Sequence, residues 1–262
     1  MLTGILQPTS GNIEILKKNP IKERGALAYD ITAIFGHSSK LWYHLPVEHS
    51  FYLLSTIYEI PIATYKKRLI NLVTKFDISF LLKKLVRQLS LGERIRCEIV
   101  ASLLHNPKVI FLDEPTIGLD INAKCIIRDL LRSLSEEEET TLLLTSHDTK
   151  DIELICDRVI IINKGSIVFN DTLTELKKNY QGEKIIHVST REKLMNSLPK
   201  GLEILESTPY HLRIKINTKI IPSEQAITAF LKRYKVQNFL IENPPLEDII
   251  KTFYEEQIYN KL

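Results

Sequence analysis

The spacing of hydrophobic positions changes along this chain. Residues 38–105 carry Leu, Ile and Tyr at intervals of three and four, which predicts a mostly helical region with boundaries at Pro46 and Pro61. Residues 108–112 instead consist of a lysine and the short apolar run Val-Ile-Phe-Leu, which is followed by two acids. Such a run is typical of a strand buried on both faces, so the chain switches from helices to a sheet at this point.

Strands and helices alternate beyond that run. The predicted elements are a helix over 122–134, a buried strand over 141–145, a helix over 148–156 and a buried strand over 158–162. This alternation predicts a parallel sheet with crossover helices. A hairpin turning at Lys164-Gly165 and a closing helix over 172–180 follow.

The two ends of the chain have patterns of their own. Before residue 38 we expect the end of a helix over 1–5, a strand near 12–16 and a second strand over 26–35. Residues 181–262 show a fresh pattern of four strands and two helices, without any recognisable chemistry. We therefore predict one domain over 1–180 and a small α+β domain over 181–262.

Composition narrows the class of protein. The chain has 262 residues, 44% of them hydrophobic, and no apolar run of about 18 residues, so we expect a folded protein without a membrane span. It also starts without the features of a secretory signal. A formal net charge of +3 argues against a nucleic-acid partner. Three scattered cysteines fit a reducing compartment better than disulfides or a metal site.

Four clusters carry candidate chemistry. Ser90 and Glu93 form a capping box at a helix start, and Gly92 would let an anion approach that helix end. Asp113 and Glu114 follow a buried strand, where a carboxylate can hold Mg²⁺ or activate a water. The others are Gly118-Leu119-Asp120 and the His147 cluster after the next strand. Taken singly, the four clusters also fit an ordinary helix cap, a solvated pair of acids, a turn and a surface histidine, respectively.

In this order the clusters resemble the nucleotide-binding subunit of an ABC transporter. The matching segments are Leu89–Arg94 for the signature, Val109–Glu114 for the Walker B strand, Thr116–Asp120 for the D-loop, Ser146-His147 for the switch and Phe35-Gly36-His37 for the Q-loop. The resemblance covers residues 1–175 and is nearest to the subgroup serving exporters of drugs and cell-surface polymers. It implies an α/β, P-loop NTPase-like ABC ATPase domain with a mixed sheet and a helical subdomain over about 38–105.

The resemblance also implies roles for the residues. Asp113 would position Mg²⁺, Glu114 would be the general base and His147 would sense the γ-phosphate of ATP. Ser90 and Gly92 would contact the ATP of a dimer partner.

Asp120 would keep the two halves of that dimer in register. An integral-membrane permease would be the other partner, which implies a cytoplasmic subunit, peripheral at the inner face of the cell membrane.

The sequence departs from the family pattern in three places. It contains no Gly-x-x-x-x-Gly-Lys-Ser/Thr loop (the Walker A motif), so we expect the front strand and the P-loop to be missing from the domain. His37 replaces the Q-loop glutamine, and imidazole is a poor ligand for Mg²⁺. Glu93 replaces the final glutamine of the signature and would place a negative charge near a triphosphate. Both residues remain candidates for the nucleotide-binding set.

Three functions stay open on this basis. The first is an ABC-type ATPase subunit of an exporter, catalytically incomplete as it stands. The second is a non-catalytic half-site that lends its signature segment to an intact partner. The third is a soluble ABC ATPase without a transporter. We expect the chain alone neither to bind ATP tightly nor to hydrolyse it, because the missing loop supplies several charge-assisted hydrogen bonds to phosphate.

Overall fold

The computed structural model describes residues 1–35, 39–137, 140–178, 182–190, 202–233 and 236–259. These residues form two compact units, Met1–Cys156 and Asp157–Leu262. No helix within the described ranges is long and apolar enough to cross a bilayer.

The first unit contains six helices and three strands among its described residues. In chain order they are α1 (Arg24–Leu27), β1 (Ile31–Phe35), α2 (Val47–Ile57), α3 (Ile62–Lys75), two 3₁₀ turns (Ser79–Leu81 and Val86–Gln88), α4 (Leu91–Leu103), β2 (Val109–Asp113), α5 (Ile121–Glu137), β3 (Thr141–Thr145) and α6 (Thr149–Ile155). Pro46 and Pro61 stand immediately before α2 and α3, which confirms the predicted helix boundaries.

The three strands form one parallel sheet in the order β1-β2-β3. In the registered pairs, Phe35 lies beside Asp113 and Asp113 lies beside Thr145. The carboxyl ends of all three strands therefore meet at one edge of the sheet, which is where open α/β sheets bind their ligands.

The core of the first unit lies between this sheet and its helices. Ile110 and Leu112 of β2 are buried, together with residues from every long helix of the unit. Phe51 on α2 and Leu131 on α5 are examples of side chains that solvent does not reach. The expected α/β class is confirmed.

Strand β3 has the predicted bounds, but it is less buried than its sequence suggests. Leu143 is 39% exposed, and Thr141 and Thr145 on the same face are exposed too. Within the described residues β3 pairs only with β2, so it is a lateral edge strand of the sheet. An apolar run of this kind indicates a strand that is equipped for burial on both faces, whereas here one face and one edge stay open.

The expected helix end over residues 1–5 is wrong. The segment forms turns, with one hydrogen bond from Gly4 N to Met1 O. Gly4 has φ at +70°, which lies outside the right-handed helical region.

The first two predicted strands also differ from the structure. The segment near 12–16 makes only an isolated bridge between Ile15 and Lys18. Residues 26–35 hold the end of α1 before β1 begins at Ile31. Apolar content alone predicted longer strands than the structure contains, because a strand also needs a neighbouring strand to pair with along its length.

The second unit starts with a hairpin and continues into a separate sheet. Its elements are β4 (Arg158–Asn163), β5 (Ser166–Thr172), α7 (Leu173–Lys178), β6 (Glu183–Thr190), β7 (Leu202–Ser207), β8 (His211–Asn217), α8 (Ser223–Arg233), β9 (Val236–Glu242) and α9 (Leu246–Tyr259). Strands β6 to β9 form an antiparallel sheet in the order β7-β8-β6-β9. Ile186 and Ile214 are among the buried residues on one face of this sheet.

The prediction that residues 158–162 continue the parallel sheet is wrong. Strand β4 pairs antiparallel with β5, and its burial alternates. Lys164 and Gly165 both have positive φ, the geometry of a tight two-residue turn that folds β4 back on β5. The hairpin belongs to the second compact unit, so that unit begins at Asp157, earlier than the boundary predicted between 180 and 181.

Candidate functional site

Asp113 ends β2 at the carboxyl edge of the parallel sheet. Its Oδ1 atom accepts a hydrogen bond from Thr145 Oγ1 on β3 at 2.6 Å. The contact joins the ends of two neighbouring strands and fixes the orientation of the carboxylate.

Glu114 follows in a backbone conformation that favours glycine, with φ at +51°. Its N–H donates to Thr145 O at 3.1 Å, which keeps the residue at the strand end. Non-glycine residues with such a φ persist only where their surroundings hold them, and they are frequent at functional sites.

The carboxylate of Glu114 pairs with His147. Oε2 of Glu114 lies 2.8 Å from Nδ1 of His147, and the side chains are 30% and 72% exposed. The hydrogen bond and the charge of Glu114 raise the pKa of the His147 imidazole above its ordinary value, with a smaller contribution from Asp148. This edge therefore presents a carboxylate, a carboxylate–imidazole pair and solvent access together.

The donor set of this edge suits Mg²⁺ in part. Mg²⁺ prefers oxygen ligands and is commonly held by one or two carboxylates together with substrate phosphates and water. Asp113 offers such an oxygen. Among the described residues no group of three or more His, Cys, Asp or Glu side chains could hold a metal on its own, so phosphate oxygens would have to complete the shell.

The start of α4 forms the predicted capping box. Ser90 Oγ accepts from Glu93 N at 3.2 Å, and Glu93 Oε2 accepts from Ser90 N at 2.8 Å. Glu93 also pairs with Lys84 at 3.1 Å. The backbone hydrogen bond from Ser90, aided by Lys84, keeps the pKa of Glu93 below its usual value although burial acts the other way. The Glu93 carboxylate thus interacts with the N-terminus of its own helix and with Lys84.

A cleft of about 330 Å³ separates the start of α4 from the start of α5. Asp120 stands at its edge and caps α5, since its Oδ1 accepts from Ala123 N at 2.9 Å. The cleft is lined by Ser90, Leu91, Gly92, Glu93, Arg96, Gly118, Leu119, Asp120, Asn122, Ala123, Ile126 and Ile127.

Two glycines allow the close approach of α4 to this loop. A Cβ atom on Gly92 would lie 3.0 Å from the Cβ of Ala123. Gly118 has φ at +73°, and a Cβ there would lie 3.3 Å from Leu91 Cδ2. Both positions therefore have a steric reason to be glycine.

The structure brings the predicted residues together in two groups. Asp113, Glu114 and His147 meet at the sheet edge, whereas Ser90, Gly92, Glu93 and Asp120 surround the cleft. His37 lies outside the described residues.

A buried polar network behind the sheet edge escaped the sequence analysis. Asp151 on α6 is fully buried and accepts from Arg128 Nε on α5 at 2.6 Å. One signal was available: Arg128 lies next to Ile127 and three residues before Leu131, both of which are buried. A charged residue beside the apolar stripe of a helix calls for a buried partner.

Sequence comparisons identify relatives of the first part of the chain. The profile described as "ABC transporter" matches residues 1–117. The ABC transporter ATP-binding protein NatA of Bacillus subtilis (strain 168) is 26% identical over 77% of this chain and 80% of its own length. The daunorubicin resistance ATP-binding protein DrrA3 of Streptomyces coeruleorubidus is 31% identical over 71% of this chain. The bacitracin transport ATP-binding protein BcrA of Bacillus licheniformis is 34% identical over 68%.

The matches to DrrA3 and BcrA span 58% and 57% of those proteins. Two solved structures share the fold, each over 68% of this chain and 74% of the other. One is an ATP binding subunit of an ABC transporter, with a TM-score of 0.60 and 23% identity. The other is cbiO1 from Clostridium perfringens, part of the cbiONQ complex, with a TM-score of 0.59 and 27% identity.

Proposed function

Because this chain belongs to the ABC transporter ATP-binding family through residues 1–117, we propose that it is the ATPase subunit of an exporter. The family couples ATP hydrolysis to transport. The names of DrrA3 and BcrA, a drug resistance protein and an antibiotic transport protein, support an export role within that family.

The arrangement at the sheet edge is the observation that carries this proposal. Glu114 is the general base: its carboxylate takes a proton from the water that attacks the γ-phosphate of ATP. His147, held 2.8 Å from Glu114, orients that carboxylate and donates toward a phosphate oxygen. Asp113, fixed by Thr145, would hold Mg²⁺, which supplies charge neutralisation on the phosphates when bound.

The cleft beside α4 is the second half of the proposed mechanism. Ser90 and Gly92 present the positive end of a 13-residue helix to solvent, and such an end favours phosphate. In a head-to-tail dimer this end faces the γ-phosphate of the partner's ATP, and Asp120 keeps the two halves in register. The Glu93 carboxylate is compensated by Lys84, which lowers its repulsion of phosphate.

Partners follow from the same proposal. A second ABC subunit closes over ATP, and a permease subunit in the membrane receives the motion through the helical region 39–105. A similar protein, cbiO1, is part of the ABC transporter complex cbiONQ, which supports the assignment of such partners to this chain. The chain would act at the cytoplasmic face of the cell membrane.

A second candidate, the half-site role, rests on one observation. The capping box at Ser90 and the adjoining cleft, which are what a half-site contributes, are both formed by the described residues. In that role the chain lends Ser90 and Gly92 to the ATP of an intact partner and performs no hydrolysis of its own. The printed names of the relatives are those of transport and resistance proteins, which leaves a soluble ABC ATPase without a transporter unsupported.

Titration of the purified chain with Mg-ATP tests the proposal. We expect the backbone NMR signals of Gly92 and Gly118 to shift with a dissociation constant of about 1 mM, because the phosphate-binding loop is lacking. The signal of Gly165, in the hairpin turn of the other unit, serves as the internal control. Shifts confined to the second unit would contradict the proposal.

Mixing with an intact ABC ATPase that carries its own phosphate-binding loop separates the two candidates. If this chain hydrolyses ATP at its own sheet edge, the mixture loses turnover when the chain carries Glu114→Gln. If the chain is a half-site, its stimulation of the intact partner survives Glu114→Gln and is lost in Ser90→Ala. Steady-state phosphate release measures both variants against the unchanged chain.

A further inference from the structure

One buried carboxylate connects the two loops that carry Glu114 and His147. Asp151 on α6 is inaccessible to solvent, and three groups donate to it. Oδ2 accepts from Thr116 Oγ1 at 2.5 Å and from Ser146 Oγ at 2.8 Å, and Oδ1 accepts from Arg128 Nε at 2.6 Å.

The two hydroxyl donors come from opposite loops. Thr116 lies two residues after Glu114, in the loop that leaves β2. Ser146 immediately precedes His147, in the loop that leaves β3. A single oxygen atom of Asp151 therefore sets how far apart these loops can lie.

Arg128 on α5 ties this carboxylate to the start of α6. Its Nη2 donates to Asp148 Oδ2 at 2.9 Å, and Lys124 Nζ donates to the same oxygen at 2.7 Å. Burial alone would lower the pKa of Arg128, but the hydrogen bond and charge of Asp151 outweigh it and raise the pKa. The guanidinium thus stays charged and donates to the buried Asp151 carboxylate.

We propose that the buried Asp151–Arg128 pair is a positioning device for the catalytic pair. By holding Thr116 and Ser146 on one carboxylate, it fixes the distance and angle at which Glu114 meets His147. Asp151 touches neither substrate nor the reacting atoms, so it acts through these two loops. The catalytic consequence rests on the function proposed above, whereas the positioning itself is a property of the free chain.

This arrangement also makes the two loops interdependent. A shift of the loop after β2 that drew Thr116 away would leave Asp151 with a vacant acceptor site in a buried place, which is unfavourable. Ser146 and Arg128 would then have to move as well. Rearrangement on one side is therefore transmitted to the other through groups that solvent does not reach.

The test compares conservative variants by the NMR signals of one imidazole. Thr116→Val removes one hydroxyl donor to Asp151 and leaves no buried charge unpaired. Ser146→Ala removes the other hydroxyl donor, together with the acceptor of Asp148 N at 3.0 Å. The nitrogen shifts of the His147 ring, read at one fixed pH in the free chain, report its hydrogen bond to Glu114. The groups that act on this ring are Glu114, Asp148 and Lys124. Thr116→Val leaves the contacts of all three in place, whereas Ser146→Ala also changes a backbone contact of Asp148, so Thr116→Val is the decisive variant.

We expect both variants to move the His147 nitrogen shifts in the same direction as Glu114→Gln, by a smaller amount. Thr140→Val is the matched control, because Thr140 Oγ1 donates to Pro107 O in the same unit and lies outside the network. It should lower the melting temperature by a similar amount and leave the His147 signals unchanged.

Two results distinguish the positioning device from the catalytic pair. If Thr116→Val and Ser146→Ala fold, lose melting temperature as Thr140→Val does and leave the His147 signals in place, the network is structural only and the positioning proposal is wrong. If Glu114→Gln itself fails to move these signals, then the pair is not formed in solution, and the proposed function loses its main support together with the device. Asp151→Asn, which keeps the shape of the side chain, should reproduce the effect of the two hydroxyl variants.

Discussion

Nδ1 of His147 lies 2.8 Å from Oε2 of Glu114, although the two residues stand at the ends of different strands. The parallel register of β2 and β3 brings them together, since Asp113 pairs with Thr145 one residue before Glu114. The proposed base and its imidazole partner are thus positioned by sheet geometry, and the hydrogen bond and charge of Glu114 raise the pKa of His147.

Replacing Glu114 by Gln should lower the pKa of His147 toward its ordinary value of about 6.5. The hydrogen bond and charge of Glu114 raise this pKa in the folded chain. The pair therefore stabilises the folded state fully below the unfolded pKa, and the contribution disappears as the pH rises through the raised folded pKa. NMR titration of the His147 ring measures the change.

The ring signals of His187 serve as the control in that titration, because His187 pairs with Glu242 in the other unit. The substitution at position 114 should leave them unchanged. A His147 pKa that is the same with Gln as with Glu at position 114 would contradict the pairing.

Acid should destabilise the first unit through His105. Burial lowers the pKa of this imidazole to about 4, partly opposed by the carbonyl of Ile31, and its buried Nδ1 has no hydrogen-bond partner among the described residues. As the pH falls from about 6.5 toward 4, the unfolded state binds a proton that the folded state does not, so the free energy of unfolding decreases. His105→Phe keeps the stacking on Tyr58, at 3.9 Å between ring centroids, and should remove this pH dependence.

Urea unfolding followed by the fluorescence of Trp42, the chain's single tryptophan, measures that free energy at each pH. His49→Phe is the matched control, because His49 is exposed on α2. It should leave the acid dependence intact. An equal loss of stability in acid for His105→Phe and the unchanged chain would refute the prediction.

Lys40 should produce a pH dependence of the same sign at the alkaline end. Burial lowers its pKa to about 8, against an opposing contribution from Glu98, and its Nζ donates to Ser102 Oγ at 3.0 Å. Between about pH 8 and 10.5 the unfolded state holds the proton that the folded state releases, so the free energy of unfolding should rise with pH relative to Lys40→Met.

Lys40→Arg supplies the control for that comparison, because an arginine stays charged throughout this range. Its stability should show no such rise. Parallel curves for the unchanged chain and Lys40→Met, from pH 8 to 10.5, would show that the lysine keeps its ordinary pKa.

Gly118→Ala should destabilise the first unit by about 1–2 kcal/mol, since an L-residue in the left-handed region costs that much. Its added Cβ also meets Leu91 at 3.3 Å. Gly11→Ala is the control: φ is +85° there, but nothing in the described part of the chain lies within 4 Å of the new atom. Urea unfolding should show the larger loss for Gly118→Ala, and an equal loss in both would exclude a steric role for Leu91.

Sequence patterns located the elements whose boundaries are determined by residues at the boundary itself. Prolines marked the starts of α2 and α3, and Ser90 with Glu93 marked the start of α4. The apolar run before Asp113 located β2, because a central parallel strand leaves no polar positions. From these three kinds of signal the order of the first unit could be predicted, including the strand end at which Asp113 and Glu114 lie.

Features that depend on distant pairing escaped prediction. Strand β4 was expected in the parallel sheet because its apolar residues do not specify a partner, and only the turn at Lys164-Gly165 decides for a hairpin. The contacts of Asp151 were missed for the same reason: its three donors lie far from it in sequence, apart from Ser146. Burial of a polar group becomes visible only once the helices are packed.

The open edge of β3 has a practical consequence for handling the protein. Its three consecutive leucines are flanked by threonines, with neither a lysine nor a proline inside the strand to discourage another chain from adding there. In the described part of the chain no strand covers that side. Concentrated samples should therefore lose material to strand-mediated aggregates sooner than dilute ones, and a charged substitution at the exposed Leu143 should improve solubility.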